Sequence, residues 1–216
     1  MDRVLSVLAQ GGQYRPQFPS PCPHPHFPLI PFPRAPLLSH PIPSPSAPDW
    51  PSLIHAVFRR SRIRQVAYVP DAGHARLITL CHDDASLRAV PLTTEEEGVA
   101  LAAGAWLGGD RSALLMQSSG VGNCVNMLAM TRACRFPLLM LVTMRGEFEE
   151  FNPWQVPMGT SAQSVLQLAG LEVRRVDDAA SVEPAVEWAA EQAFGHDAAV
   201  AVLLSQRLIG RKEWVK

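Results

Sequence analysis

Two runs of this chain, Ala113-Leu114-Leu115-Met116 and Leu138-Leu139-Met140-Leu141-Val142, are apolar at every position. A strand sends successive side chains to opposite faces, so such runs must be covered on both sides. From Pro51 onward, similar short runs alternate with helical periods, as in a parallel sheet wrapped by helices. The pattern predicts strands at about 65–69, 87–91, 112–117, 137–143, 172–176 and 198–204. It predicts helices at about 52–61, 73–83, 95–108, 121–135, 161–170 and 181–194. The expected architecture is α/β: a three-layer, doubly wound, mainly parallel six-stranded sheet with helices on both faces. Ligands of such sheets bind beyond the carboxyl ends of the strands. Loops 70–74, 92–95, 118–123 and 144–159 all leave such ends.

The first fifty residues read differently. Positions 16–51 hold fourteen of the twenty prolines, and proline supplies no N–H to a ladder while biasing its predecessor toward extended backbone. Residues 1–50 are therefore expected to be a disordered or polyproline tail, or an overextended reading frame whose translation begins near Trp50. The folded domain would be 51–216.

Two segments carry the chemistry. In Thr94-Glu95-Glu96-Glu97-Gly98-Val99-Ala100-Leu101-Ala102-Ala103-Gly104-Ala105, three carboxylates open a helix poor in side-chain bulk. First-turn acids complement a helix dipole, so the cluster reads either as a cap or as a site against which another surface presses. In Met116-Gln117-Ser118-Ser119-Gly120-Val121-Gly122-Asn123, a strand is expected to end in a tight turn and a helix start where N–H groups converge. Val125 stands where a dinucleotide fingerprint needs its third glycine, no lysine makes a phosphate loop, and Gly-x-Ser-x-Gly is absent.

Together these segments resemble the pyrimidine-binding domain of thiamine-diphosphate enzymes. The resemblance is strongest to the sulfopyruvate decarboxylase alpha subunit and to the matching half of phosphonopyruvate decarboxylase. Besides the two segments, Asn126, Met144-Arg145-Gly146-Glu147 and Gln155-Val156-Pro157-Met158-Gly159 carry it, over roughly residues 52–210. The family's activating glutamate lies nine positions before the glycine of the small-residue helix. Counting back from Gly104 implies Glu95 as the catalytic and cofactor-binding acid, with Ser118, Ser119, Gly120, Val121, Gly122 and Asn123 as further cofactor contacts. A carboxylic acid on the pyrimidine ring nitrogen favours the imino form that can take a proton from the thiazolium, and a dry site raises a carboxylate's pKa in the needed direction.

The same resemblance places Arg145-Gly146-Glu147 and Gln155 at the mouth of the site. A guanidinium suits an anionic substrate group, although loop 144–159 also reads as a surface whose aromatic residues pack on a neighbouring subunit. Asp71 and His74, after the first strand, are expected on the substrate side, with a plain helix-start role for His74 as the alternative. Asp71 stands where the sulfopyruvate pattern has a cysteine, which leaves the substrate's identity open. His82, at a helix end, reads as structural.

Thiamine enzymes clamp Mg2+ and diphosphate with a Gly-Asp-Gly segment, and none occurs in these 216 residues. The implied assembly has two chains: a separate diphosphate-binding subunit carries Gly-Asp-Gly and supplies the main hold on Mg2+, and a small 2-oxo acid is the substrate. The alternatives are a silent binding or regulatory module of the same fold and another carbon–carbon reaction on the same cofactor. A formal charge of -1 gives no electrostatic ground for nucleic acid. No apolar run is long enough to span a membrane. Cys22, Cys81, Cys124 and Cys134 lack metal-ligand spacing and read as small core residues of a cytoplasmic protein.

Overall fold

The computed structural model describes residues 49–210, so the expectation of a disordered tail falls almost wholly outside the described residues. The chain runs as α1 (Trp50–Arg60), β1 (Ile63–Tyr68), α2 (Ala75–Asp83), β2 (Arg88–Pro91), α3 (Glu95–Leu107), β3 (Arg111–Gln117), α4 (Ser118–Cys124) and α5 (Ala129–Ala133). It continues as β4 (Leu138–Thr143), α6 (Val156–Leu168), β5 (Glu172–Val176), α7 (Val182–His196), β6 (Ala199–Leu204) and α8 (Gln206–Ile209). The six strands form one sheet in the order β2-β1-β3-β4-β6-β5. Every neighbouring pair is parallel, and Gln117 and Thr143 are register partners at the end of β3 and β4.

Burial follows the sheet order. Every residue of β4 is buried, as are the middle five of β3, whereas the edge strands β2 and β5 expose arginines and other polar side chains. Two apolar layers fill the faces. Val66, Leu115, Leu141 and Val202 pack against Phe58 of α1, Leu77 of α2 and the alanines of α7. Leu114, Met116, Met140 and Val142 face Val99 and Ala102 of α3, Val121 of α4 and Leu166 of α6.

Three local expectations change. The strand β3 passes directly into α4 at Ser118, with no tight turn. The expected helix 121–135 is two helices, because across Asn126–Thr131 the hydrogen bonds switch to three-residue spacing: Ala129 N to Asn126 O, Met130 N to Met127 O and Thr131 N to Leu128 O. The Gly120-Val121-Gly122-Asn123 run has weak helix propensity and does not enforce a longer helix. Helix α6 begins at Val156 rather than 161, with Pro157 in the first turn, where its missing N–H breaks no bond.

The loop between β4 and α6 is pinned by one carboxylate. Glu150 accepts from Arg145 Nε at 2.7 Å and Nη2 at 2.6 Å, from the N–H of Gly146 and Asn152, and from Gln206 Nε2 at 3.0 Å. Gln206 returns its carbonyl to the N–H of Glu147 and Phe148, and Arg175 pairs with Glu147. Burial alone would raise the Glu150 carboxyl, but the bonds from Arg145, Asn152, Gly146 and Gln206 overcome it and hold the group at about 2.

Because this folded-state pKa lies below the ordinary 4.5, Glu150 contributes stability that is present above about pH 4.5 and lost as pH falls toward about 2. Glu150→Gln should cost about 3 kcal/mol at neutral pH, since it leaves a buried guanidinium unpaired, and should flatten the acid limb of melting temperature against pH. A second pair of substitutions tests the small-residue helix. A Cβ on Gly98 would lie 2.3 Å from Leu114 Cδ1, whereas one on Gly104 meets nothing within 4 Å. In urea titrations of the isolated chain, Gly98→Ala should destabilise by about 1–3 kcal/mol, and Gly104→Ala should be neutral or stabilise by up to about 1 kcal/mol.

Candidate functional site

The three acids that open α3 have three different surroundings. Glu97 is the cap: its carboxylate accepts from Thr93 N at 2.9 Å and Thr94 N at 3.5 Å. Glu96 is half-buried. Glu95 is 7 % exposed and points at α4, where Asn123 Nδ2 donates to its Oε2 at 2.7 Å. Gly120 makes this possible, since a Cβ there would stand 2.5 Å from the Glu95 carboxyl carbon. Glu95 Oε1 accepts no hydrogen bond from any described residue. The helix-cap alternative thus applies to Glu97, and Glu95 is left with one oxygen committed and one available.

The other residues of the strand-to-helix junction divide by role. Ser118 is fully buried and its hydroxyl accepts from Arg145 N at 3.0 Å, tying the long loop to the end of β3. Val121 is buried in the apolar layer beneath α4. Ser119 is half-buried, and exposed Gly122 lies against Met158, with a Cβ position 3.5 Å from its sulfur. Among the residues expected to contact a cofactor, Gly120 and Asn123 are those the fold brings onto Glu95. Cys124 lies behind them, its thiol pushed up to about 12 by burial and by the nearby Glu95 and Glu96 carboxylates, so it stays protonated. Cys81 is likewise buried, whereas Cys134 is exposed and Cys22 lies outside the described residues.

Arg145, expected to meet an anion, is already neutralised by Glu150 and stacks on Phe151 with Cζ 5.8 Å from the ring centre. Its charge is engaged in fixing the loop through Glu150. Gln155, in a 3-10 turn (Pro153–Gln155), is 8 % exposed and its Oε1 is buried without a hydrogen-bond partner among the described residues.

Beyond the ends of β1 and β4 lies a second polar group. Thr143 Oγ1 donates to Asp71 Oδ2 at 2.6 Å. His74 is fully buried and its Nε2 meets Leu141 O at 3.1 Å, as a donor, which leaves Nδ1 as an acceptor with no partner among the described residues. Burial holds the imidazole below its usual value, against the opposing pull of Asp71. Gln117 Oε1, on β3 beside Thr143, is also buried and has no partner among the described residues. His82 bonds Tyr68 OH at 2.7 Å and meets its ring edge-on, a packing role. Thr143 and Gln206 had no local signature, since they meet Asp71 and the Glu147–Glu150 loop across long sequence separations, and Glu150 gathers its remaining donors from its own loop. Among the described residues no group of three or more His, Cys, Asp or Glu side chains could hold a metal ion, and no helix is long and apolar enough to cross a membrane.

No family model matches the chain. It is 32% identical over 157 residues to the sulfopyruvate decarboxylase subunit alpha of Methanothermobacter thermautotrophicus, covering 72% of this chain and 95% of that protein. To the same subunit of Methanococcus maripaludis it is 31% identical over 140 residues, covering 64% and 84%. The phosphonopyruvate decarboxylase of Streptomyces viridochromogenes is 34% identical over 118 residues, 54% of this chain but 30% of that longer protein. Among solved structures, a 2-oxoglutarate:ferredoxin oxidoreductase of Magnetococcus marinus superposes with a TM-score of 0.58 at 15% identity, covering 76% of this chain and 33% of the other, a likeness of fold. With two alpha subunits matched above 30% identity over most of their length, the chain belongs to the family of sulfopyruvate decarboxylase alpha subunits.

Proposed function

We propose that this chain is the pyrimidine-binding subunit of a two-chain, thiamine-diphosphate-dependent decarboxylase of a short anionic 2-oxo acid. Its domain is residues 51–216, with α1 extending it to Trp50. The observation that carries this proposal is the buried Glu95 carboxyl, held through Oε2 by Asn123, laid on the bare backbone of Gly120 and left with a free Oε1. A carboxyl so placed fits an aminopyrimidine ring nitrogen, a single acceptor that needs one O–H. Glu95 would hold that proton at Oε1, Asn123 would stop the carboxyl from rotating, and the buried surroundings of Val99 and Cys124 would limit water at its back. Thiamine diphosphate, when bound, supplies the nucleophilic carbon and the electron sink for loss of carbon dioxide. Asp71, His74 and Gln155, with unpartnered atoms or a carboxyl beyond the strand ends, would meet the substrate.

The partner requirement draws support from three sources. The sequence has no Gly-Asp-Gly for Mg2+ and diphosphate, and the two alpha-subunit relatives are named as subunits. The third is the surface of the α3–α6 layer. Residues 98–109, 112–131 and 151–171 contain no Asp, Glu, Lys or Arg. The exposed large hydrophobics among the described residues, Leu107, Val125, Trp154, Val156 and Leu168, all lie on these stretches. A chain whose opposite face carries Arg59, Arg60, Glu183 and Glu187 has one wet side and one fit for burial. The diphosphate-binding subunit would dock there, over the open edge of Glu95, and bring the Mg2+. We place the complex in the cytoplasm, where thiols such as Cys81, Cys124 and Cys134 remain reduced.

In a complex captured through a tag on this chain, Glu95→Gln should lower turnover of sulfopyruvate or phosphonopyruvate by about 10²- to 10⁴-fold, as for lost acid–base help. Gly120→Ala should do much the same by displacing the carboxyl, while Glu97→Gln should lower the melting temperature and spare turnover. Parent-like turnover by Glu95→Gln would remove the basis of the assignment. Leu107→Lys tests the docking face. The isolated chain should keep its stability within about 0.5 kcal/mol, as for an exposed site, but should fail to retain its partner in size-exclusion chromatography.

A further inference from the structure

We infer that Thr143 is a positioning residue for Asp71, holding its carboxyl toward the substrate; the inference rests on the decarboxylase reading above. The Thr143 hydroxyl has one hydrogen and two acceptors in reach, Asp71 Oδ2 at 2.6 Å and Met116 O at 3.3 Å. The shorter contact is the one to the carboxylate, so the hydroxyl hydrogen goes to Oδ2 and fixes one oxygen of Asp71 at the end of β4.

The surroundings hold this geometry closely. Thr143 is the last residue of β4, 1 % exposed, and β-branched, so its rotamer is set by the sheet edge. Gly73 lies beneath the pair: a Cβ there would stand 2.8 Å from Thr143 Cγ2 and 3.0 Å from Asp71 Oδ2. The loop from Asp71 to His74 can fold over Thr143 because position 73 has no side chain. On the neighbouring strand, Gln117 Oε1 is a buried acceptor with no donor among the described residues, and so is His74 Nδ1 at the start of α2. Two such acceptors on the elements that flank the Asp71 carboxyl make a place where an O–H donor of the substrate would be held.

The test uses the complex captured through a tag on this chain, with thiamine diphosphate, Mg2+ and sulfopyruvate or phosphonopyruvate. Thr143→Val keeps the shape and removes the hydroxyl, and should lower kcat/KM by about 10- to 100-fold, the range for lost support of a site residue. Thr143→Ser should restore most of it, and Gly73→Ala should reproduce the loss by forcing Asp71 and Thr143 apart. In a double-mutant cycle, Asp71→Asn with Thr143→Val should be no worse than Asp71→Asn alone, because the hydroxyl acts only through the carboxyl. A second readout needs no partner. In proton NMR of the isolated chain, the Thr143 hydroxyl should give a slowly exchanging resonance that Thr143→Val removes and Asp71→Asn shifts. An inactive parent complex defeats the functional reading and this inference with it. An active parent with an unimpaired Thr143→Val, with losses that multiply in the cycle, or with a hydroxyl resonance blind to Asp71→Asn defeats the positioning role alone.

Discussion

A carboxyl group can be kept from water only where something donates to it, and it can be kept available only where something else does not. Glu95 meets both conditions through one contact, the first turn of α3 against the backbone of α4 at Gly120. The distance between these helices is set from below. Gly98, one turn along α3, lets that helix settle on Leu114 of β3 with no side chain between. If α3 were lifted by a methyl group at either glycine, Asn123 would lose Glu95 Oε2 and the carboxyl would be solvated like its neighbour Glu97. The sheet, the two glycines and one amide together decide which of three adjacent glutamates is buried against α4 and which is a cap.

The contrast with Glu150 shows how bonding, more than burial, sets the role of a carboxylate in this fold. Glu150 accepts from a guanidinium, two backbone N–H groups and an amide, and its carboxyl is held at about 2. It carries a permanent charge and serves as a peg for loop 144–152. Glu95 accepts one hydrogen bond, from the Asn123 amide. The balance of donors ties the Glu150 carboxylate into its loop on every side, whereas the Glu95 carboxyl is held at a single oxygen. Arg145 belongs to the first arrangement. Its sequence position suggested a substrate anion, and the anion it meets is five residues away in its own loop.

Much of the architecture was legible because its signals are local. Runs apolar on both faces specified central strands, and all six strands lie within about two residues of the expected bounds. Glu95, Gly120 and Asn123 were visible because a helix start and a glycine-rich strand end each have a pattern within a dozen residues. What was not visible depends on sheet order. Thr143 reads in sequence as the last residue of an apolar run, and it meets Asp71 only because the chain crosses β3 between β1 and β4. The split of 121–135 into α4 and α5 came from a shift in hydrogen-bond spacing that no single residue announces. The small residues of α3 pointed to close approach, and the structure distributes them: Gly98 inward, Gly104 outward.

That outward distribution has its own logic. Helix α3 is apolar around its whole circumference, and a helix of that kind is stable in water only when both sides are covered. One side is covered by β3. The other presents Ala100, Gly104 and Leu107, continuous in character with the uncharged stretches of α4 and α6. On the opposite face of the sheet, α1 and α7 are joined by Arg60 with Glu183 and Glu187, and Asp84 accepts from Arg59 and His55. Selection for solubility alone would scatter charges over both faces. A molecule charged on one face and bare on the other is what the proposed two-chain assembly requires, and the bare face is the one on which Glu95 lies.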